Sequence, residues 1–190
     1  MNTITKTIRD PENTWLFSDP HFDHANIIQY CTRPFTHIGD MNFELLKNYK
    51  KCVNSKSLVF FLGDMAFGRQ SRTPKFWVEQ LYPVKEFIYI KGSHDHGIRP
   101  TNTTDCHMVV TLIITTLENP YIHLVHDHEV LGATDDWVIH GHTHNNTPFF
   151  DRVHKRVNVS CDVTGFAPVQ LSTILKLIAD EVVNTRQFLI

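Results

Sequence analysis

Leu58-Val59-Phe60-Phe61-Leu62-Gly63-Asp64 is five apolar residues followed by a glycine and a lone carboxylate. A short, continuous apolar run bounded by turn residues is the mark of a strand buried on both faces. Four further runs end in the same way. Trp15-Leu16-Phe17 runs into Ser18-Asp19-Pro20-His21, and Phe87-Ile88-Tyr89-Ile90 into Lys91-Gly92-Ser93-His94-Asp95. Ile122-His123-Leu124-Val125 stops at His126, and Trp137-Val138-Ile139 at His140-Gly141-His142-Thr143-His144. In open sheets the strand ends carry the ligand site. Five ends that deliver carboxylates and imidazoles to one rim make a site for hard-to-borderline divalent metals.

Outward from these strands the chain alternates helical and extended patterns. Residues 25–31 read as a short helix, broken by Arg33-Pro34. Phe43, Leu45, Leu46, Tyr49 and Val53 form an apolar stripe at helical spacing over 41–53, with Asp40 as its cap. Residues 74–82 read as a helix with Pro74 in its first turn and Pro83 behind it. The β-branched stretches 108–117 and 121–125 are expected to pair across Glu118-Asn119-Pro120. Residues 157–161 form another strand, and Leu171, Ile174, Leu175 and Ile178 mark a closing helix over 171–180. A last strand is expected at 182–190, and residues 1–13 read as an N-terminal extension with some strand character at 4–8. Strands and helices mixed in this way predict an α/β fold, with helices outside one or two mixed sheets.

At 190 residues and 42% hydrophobic composition, one domain spanning 1–190 with a substantial core is expected. A formal net charge of −2 gives no global basic field for nucleic acid. It leaves open a nucleotide or a nucleic-acid end as substrate, because bound cations supply local positive charge. Thirteen histidines are a heavy load, and seven of them lie between His123 and His154, which concentrates imidazoles near the last two strand ends. The four cysteines show no Cys-x-x-Cys pair, which argues against a zinc ribbon or redox motif. With no signal-like start and no apolar stretch of membrane-spanning length, a cytoplasmic protein without a membrane partner is expected.

Hydrolysis of a phosphate ester needs an activated water and charge stabilisation on the phosphoryl oxygens, and two divalent cations held close together do both. Asp64, at the end of the most apolar strand, suits a bridging carboxylate. Asp19 and His21 stand two apart, as do His142 and His144, so each pair can point the same way. Asp19-x-His21, Gly63-Asp64, Gly92-x-His94-Asp95, His126 and Gly141-His142-x-His144, in this order, resemble the calcineurin-like metallophosphoesterase superfamily. His21-Phe22-x-His24-x-Asn26-Ile27-Ile28 and Tyr30-x-x-Arg33-Pro34-Phe35 look like its small prokaryotic and phage subgroup.

The resemblance implies an α/β sandwich with two central mixed sheets flanked by helices. It implies a phosphodiesterase or phosphomonoesterase that uses two metal ions and their shared hydroxide. Mn²⁺ is the expected metal, with Fe, Ni or Zn as alternatives, since imidazole and carboxylate ligands do not select tightly. Asp19, His21 and His144 would hold the first ion; Ser93, His126 and His142 the second; Asp64 would bridge. His94 would stand near the leaving group, with Asp95 as its orienting carboxylate. The family normally has Asn where this chain has Ser93, whose shorter hydroxyl is a poor neutral ligand, so a weak second site is expected. A catalytically weakened or non-catalytic interaction protein on the same fold is the alternative reading. Phe67 stands where protein serine/threonine phosphatases carry an Asp, which disfavours that activity.

Other residues have two readings each. His24 caps a helix or lines the site, and Arg33 is a structural ion-pair partner or a bidentate phosphate clamp. His128 and His140 neighbour expected ligands and can orient them. Arg69, Arg72 and Lys91 are expected to be solvated, and Phe60, Phe61, Phe76 and Trp77 to be core. Pro148-Phe149-Phe150 is a turn or an apolar wall of the substrate cleft.

Overall fold

The apolar run at 58–62 forms β3 (Leu58–Phe61), the middle strand of a five-stranded sheet. The computed structural model describes residues 4–68, 71–95, 106–116 and 121–187. β2 (Thr14–Phe17) and β4 (Glu86–Ile90) flank β3 in parallel, with β5 (Cys106–Val109) and β11 (Val169–Gln170) at the edges in the order β11-β2-β3-β4-β5. β11 is antiparallel to β2, so the sheet is mixed.

A six-stranded sheet holds β1 (Ile4–Thr7), β6 (Thr111–Thr115), β7 (Ile122–Val125), β8 (Trp137–His140), β9 (Phe150–Asp151) and β10 (Arg156–Asn158). Its order is β1-β6-β7-β8-β10-β9 and it too is mixed. The protein is thus an α/β sandwich of two mixed sheets with helices.

Alternation along β3 divides the core. Phe60 joins Leu16, Ile88, Ile90, Leu112, Ile114, Leu124 and Ile139 in one cluster that draws on both sheets. Phe61 and Val59 point the other way and meet Met41, Leu45, Tyr49 and Trp77. Those last residues come from α2 (Ile38–Cys52) and α3 (Pro74–Gln80), which cover the outer face of the five-stranded sheet with α1 (Ala25–Tyr30). α4 (Leu171–Gln187) adds Leu171, Ile174, Leu175 and Ile178 to the first cluster. β3 has an apolar face on each side, which is why it reads as an unbroken run. Phe60, Phe61, Trp77 and Phe76 are core or core-packed, as expected.

Four expectations need correction. The strand character expected at 4–8 is present as β1, but it is part of the sheet and not of an extension: β1 pairs in parallel with β6, and Ile8 behind it is buried. Asp40 lies in the first turn of α2, whose cap is His37, because Ile38 packs on the core and starts the helix earlier. The stretch from 108 is broken at the exposed Val110, where the chain leaves one sheet for the other. β6 still pairs antiparallel with β7. Finally, α4 continues to Gln187 where a strand was expected. The turn at Glu118-Asn119-Pro120, Arg69, and residues 1–3 and 188–190 lie outside the described residues. Among the described residues no helix is long and apolar enough to cross a membrane.

Candidate metal centre

β2, β3 and β4 run parallel and end together, and β7 and β8 end beside them from the other sheet. The loops at these ends are stitched to one another. The Asp19 amide donates to Gly63 O, the His21 amide to Asp64 O, and the Gly141 amide to His126 O. The loops approach so closely that a side chain at Gly92 would collide with the Asp64 backbone and carboxylate. One at Gly141 would collide with Ser18 and Asp19, so both positions need glycine.

All the acidic and imidazole ligands inferred from sequence meet at this rim. Asp19, His21 and His144 each bring one ligand atom to within 4.8 Å of the others, and Asp64, His126 and His142 do the same. Asp64 lies between the groups: its Oδ2 is 3.5 Å from His21 Nε2 and 3.4 Å from His126 Nε2. Asp19, His21, Asp64, His142 and His144 all have positive φ, at 56°, 49°, 58°, 66° and 49°. That region is uncommon for residues with a Cβ and costs ~1–3 kcal/mol each, a strain that concentrates at functional sites.

The donor set fits cations. Both ring nitrogens of His21 and the Nε2 of His126 are buried with no hydrogen-bond partner among the described residues. Buried polar atoms normally have hydrogen-bond partners; both Nε2 atoms instead face Asp64 Oδ2 at 3.5 and 3.4 Å, an arrangement that fits a shared metal ion. Burial first of all, then His144 and Arg33, depresses the His21 pKa well below its usual value, against the pull of Asp64. A neutral imidazole with a free lone pair results. Burial by itself would raise the Asp64 pKa, but His126, His21 and the His94 amide outweigh it and hold the carboxyl far below the usual range. Burial lowers the His126 pKa, but the Asp64 and Asp19 carboxylates more than reverse this and lift it to about 9. Its Nδ1 is held 2.7 Å from Leu62 O. In the metal-free chain a proton therefore sits where a cation would bind, so binding should release protons.

The other site residues divide. His94 is at the mouth, its side chain 40% exposed and its Nε2 4.0 Å from Asp64 Oδ2, with its amide donating to Asp64 Oδ1 at 2.8 Å. Ser93 is exposed, and its hydroxyl donates to Asp64 Oδ2 at 3.3 Å. Its hydroxyl thus lies beside the Asp64 oxygen that faces both groups.

Asp95 holds the loop that carries His94, not the His94 ring. It is buried, and it accepts from the amides of Gly92, Asp64 and Met65 at 2.7, 2.9 and 3.1 Å. One carboxylate thus fastens the β3 and β4 loops together.

Arg33 is not a phosphate clamp: it is 4% exposed and every nitrogen is engaged within the protein. It grips Asp162 with Nε and Nη2 at 2.8 and 3.0 Å and donates to the carbonyls of Asp19 and Pro20 at 2.8 Å each.

His24 occupies the cap position of α1 without a capping bond, and its ring lies 5.4 Å from that of His21. His128 and His140 pack against each other with ring centroids 4.6 Å apart and planes tilted by 42°. Arg72 is not solvated alone, since it pairs bidentately with Asp23 and covers the Trp77 ring. Phe149 and Phe150 pack on the sandwich core, Phe150 stacked on Trp137, and not on the cleft.

Asp162 is the residue that motif reading misses. Its Oδ2 lies 2.7 Å from His144 Nδ1, which leaves Nε2 as that ring's free ligand atom. Despite burial, Asp162 and its neighbours lift the His144 pKa to about 10. A carboxylate behind a ligating histidine fixes the tautomer and ring orientation. Asp162 lies four residues beyond the end of β10 (Arg156–Asn158), outside the motifs at the five strand ends.

No family model matches the chain. It is 36% identical over 169 residues to the uncharacterised protein MJ1445 of Methanocaldococcus jannaschii, a match covering 86% of this chain and 90% of that protein. The chain belongs to the family of that archaeal protein. The crystal structure of AQ665, a protein of unknown function from Aquifex aeolicus, shares the fold at a TM-score of 0.63 and 19% identity. That likeness covers 86% of this chain and 98% of the Aquifex chain.

Proposed function

We propose that this chain is a metal-dependent phosphoesterase of the calcineurin-like type, hydrolysing phosphodiesters or phosphomonoesters. The observation that carries this reading is the pair of donor groups on either side of one carboxylate oxygen, Asp64 Oδ2. Asp19, His21 and His144 would hold one divalent cation, and His126 and His142 the other, with Asp64 shared. A cation pair held in this way supplies a nucleophile from water at neutral pH and offsets charge on the phosphoryl oxygens. Mn²⁺ is the proposed metal, with Fe, Ni and Zn compatible with the same donors.

The chain's own residues do the rest. Asp95 locks the two loops so that the His94 amide stays on Asp64 Oδ1. That places the exposed His94 ring at the mouth, where its Nε2 can pass a proton to the departing oxygen. Asp162 and Arg33 hold His144 and the Asp19 backbone in place. The Ser93 hydroxyl, engaged with Asp64, leaves the second cation one donor short. This favours a weaker second site, and in the limit a mononuclear hydrolase. The unpaired thiols Cys31, Cys52 and Cys161 fit a reducing cytoplasm as its location.

The test is hydrolysis of bis-p-nitrophenyl phosphate and p-nitrophenyl phosphate by chelator-treated protein, before and after added Mn²⁺. Activity that returns with the metal is expected. No hydrolysis of either ester with Mn²⁺, Fe²⁺, Ni²⁺ or Zn²⁺ would overturn the proposal and leave the interaction-protein alternative.

A further inference from the structure

A row of rings leads out of the metal centre. His94 packs against Phe67 with ring centroids 4.4 Å apart, Phe67 against His24 at 4.9 Å, and His24 against Tyr30 at 6.1 Å. The inner end of the row is 4.0 Å from Asp64, and its two carbocyclic rings are open to solvent: Phe67 is 39% exposed and Tyr30 70%. Phe67 belongs to the loop that delivers Asp64. It is held between two imidazoles, 70° to one and 55° to the other, so a ring kept at a fixed angle stands out of the protein beside the reacting centre.

Resting on the phosphoesterase reading, we propose that Phe67, with Tyr30 beyond it, is the subsite for a planar aromatic group on the substrate, of which a nucleobase is the natural example. A group esterified to a phosphate at Asp64 and His94 can lie against this row, whose inner ring is His94 itself. A planar ring gains stacking on an exposed aromatic face, and that gain does not depend on which base is present. An alkyl group gains only the burial of its area. A quaternary ammonium group, the other usual partner of exposed aromatic rings, is disfavoured here, because the two cations that the phosphoesterase reading places at Asp64 would oppose its charge. The subsite therefore selects a neutral planar group over both an aliphatic and a cationic one.

The test is direct binding with Mg²⁺ present, read by calorimetry and by proton NMR. The ligands are adenosine 5′-monophosphate, ribose 5-phosphate and phosphocholine. Base stacking is worth ~1–3 kcal/mol, or about 5- to 150-fold in affinity. The monophosphate should bind at least about fivefold more tightly than ribose 5-phosphate, and its adenine H2 and H8 signals should move upfield. Phe67→Leu should lose both the preference and the upfield shift, and Phe67→Tyr should retain them. Equal affinity for the nucleotide and the bare sugar phosphate would overturn the subsite, as would tighter binding of phosphocholine or an upfield shift that survives in Phe67→Leu. The two readings fail separately: a base preference without hydrolysis of any ester removes the phosphoesterase activity and leaves the subsite, and hydrolysis without a base preference does the reverse.

Discussion

The two candidate ligand groups are built to different standards. Around Asp19, His21 and His144 the support is buried and continuous. Asp162 holds His144, Arg33 holds Asp162 and the Asp19 carbonyl, and Ser160 and the His142 amide donate to the Asp19 carboxylate. Around Asp64, His126 and His142 the support is one-sided. His126 is fixed on Leu62 O, but the His142 side chain is 42% exposed, and Ser93 faces solvent with its hydroxyl on Asp64. Pre-organised ligands with carboxylate backing bind tighter than ligands that must be ordered on binding. Two sites of unequal affinity are therefore expected, with the group around Asp19 filling first.

The severest way to break the comparison is to remove what the groups share. Asp64→Asn leaves an amide where two cations need a charge, and turnover should fall on the order of 10³-fold or more, with loss of bound metal. Near-parent turnover would show that Asp64 is not shared. His94→Ala touches neither group. It should keep the metal content and lose roughly 10²–10⁴-fold in rate on alkyl esters, but less on p-nitrophenyl esters, whose leaving group needs little protonation. An equal loss on both ester types would argue against proton transfer by His94.

Asp162→Asn should act on the first group selectively. Loss of a carboxylate behind a ligating histidine typically costs about 10–100-fold in metal affinity. The buried Arg33 left against a neutral amide should also cost ~3–5 kcal/mol of stability. Mn²⁺ titration and chemical denaturation of the same variant would separate the two effects, and an unchanged first affinity would remove Asp162 from the site.

A smaller, pH-dependent effect belongs to the metal-free protein. His126 and His144 have folded pKa values of about 9 and about 10, above the ordinary 6.5. Their contribution to stability is fully present below about pH 6.5 and is lost as pH rises through the folded values. Asp64, held low, is ionised throughout that window and adds no slope there. Chelator-treated protein should therefore melt at least about 5 °C lower at pH 10 than at pH 7. Metal-loaded protein, whose imidazoles have exchanged protons for cations, should show a flatter profile. Equal slopes with and without metal would contradict the assignment of these two rings as ligands.

These comparisons also show how much could be read in the sequence. The strand ends were legible because each joins two signals, an apolar run and an abrupt change to Asp, His or Gly. Asp19, His21, Asp64, His126, His142 and His144 all converge because the five runs are strands that end at one rim. The partner of Arg33, the role of Asp95 and the place of Asp162 stay hidden for one reason. Their roles depend on partners far along the chain: Arg33 and Asp162 are 129 residues apart, and Asp95 binds amides 30 and 31 residues away. No local pattern encodes such a pairing. The strand character of β1 is legible at 4–8, but its place in the sheet is not, because its partner, β6, lies more than a hundred residues away. The break at Val110 was hidden because β-branched residues run straight through a point where the chain changes sheets.

The central claim, two unequal cation sites around one carboxylate, is tested most directly by titrating chelator-treated protein with Mn²⁺. Bound metal and hydrolysis of bis-p-nitrophenyl phosphate are followed in the same sample, for the parent and for Ser93→Asn. The account predicts two ions per chain in the parent, the first bound tightly and the second only at higher Mn²⁺, with turnover tracking the second. In Ser93→Asn, where the amide carbonyl can reach the second cation, that step should move to lower concentration and leave the first unchanged. Two equally tight ions in the parent with an unmoved curve in Ser93→Asn, or no ion bound at all, would contradict it.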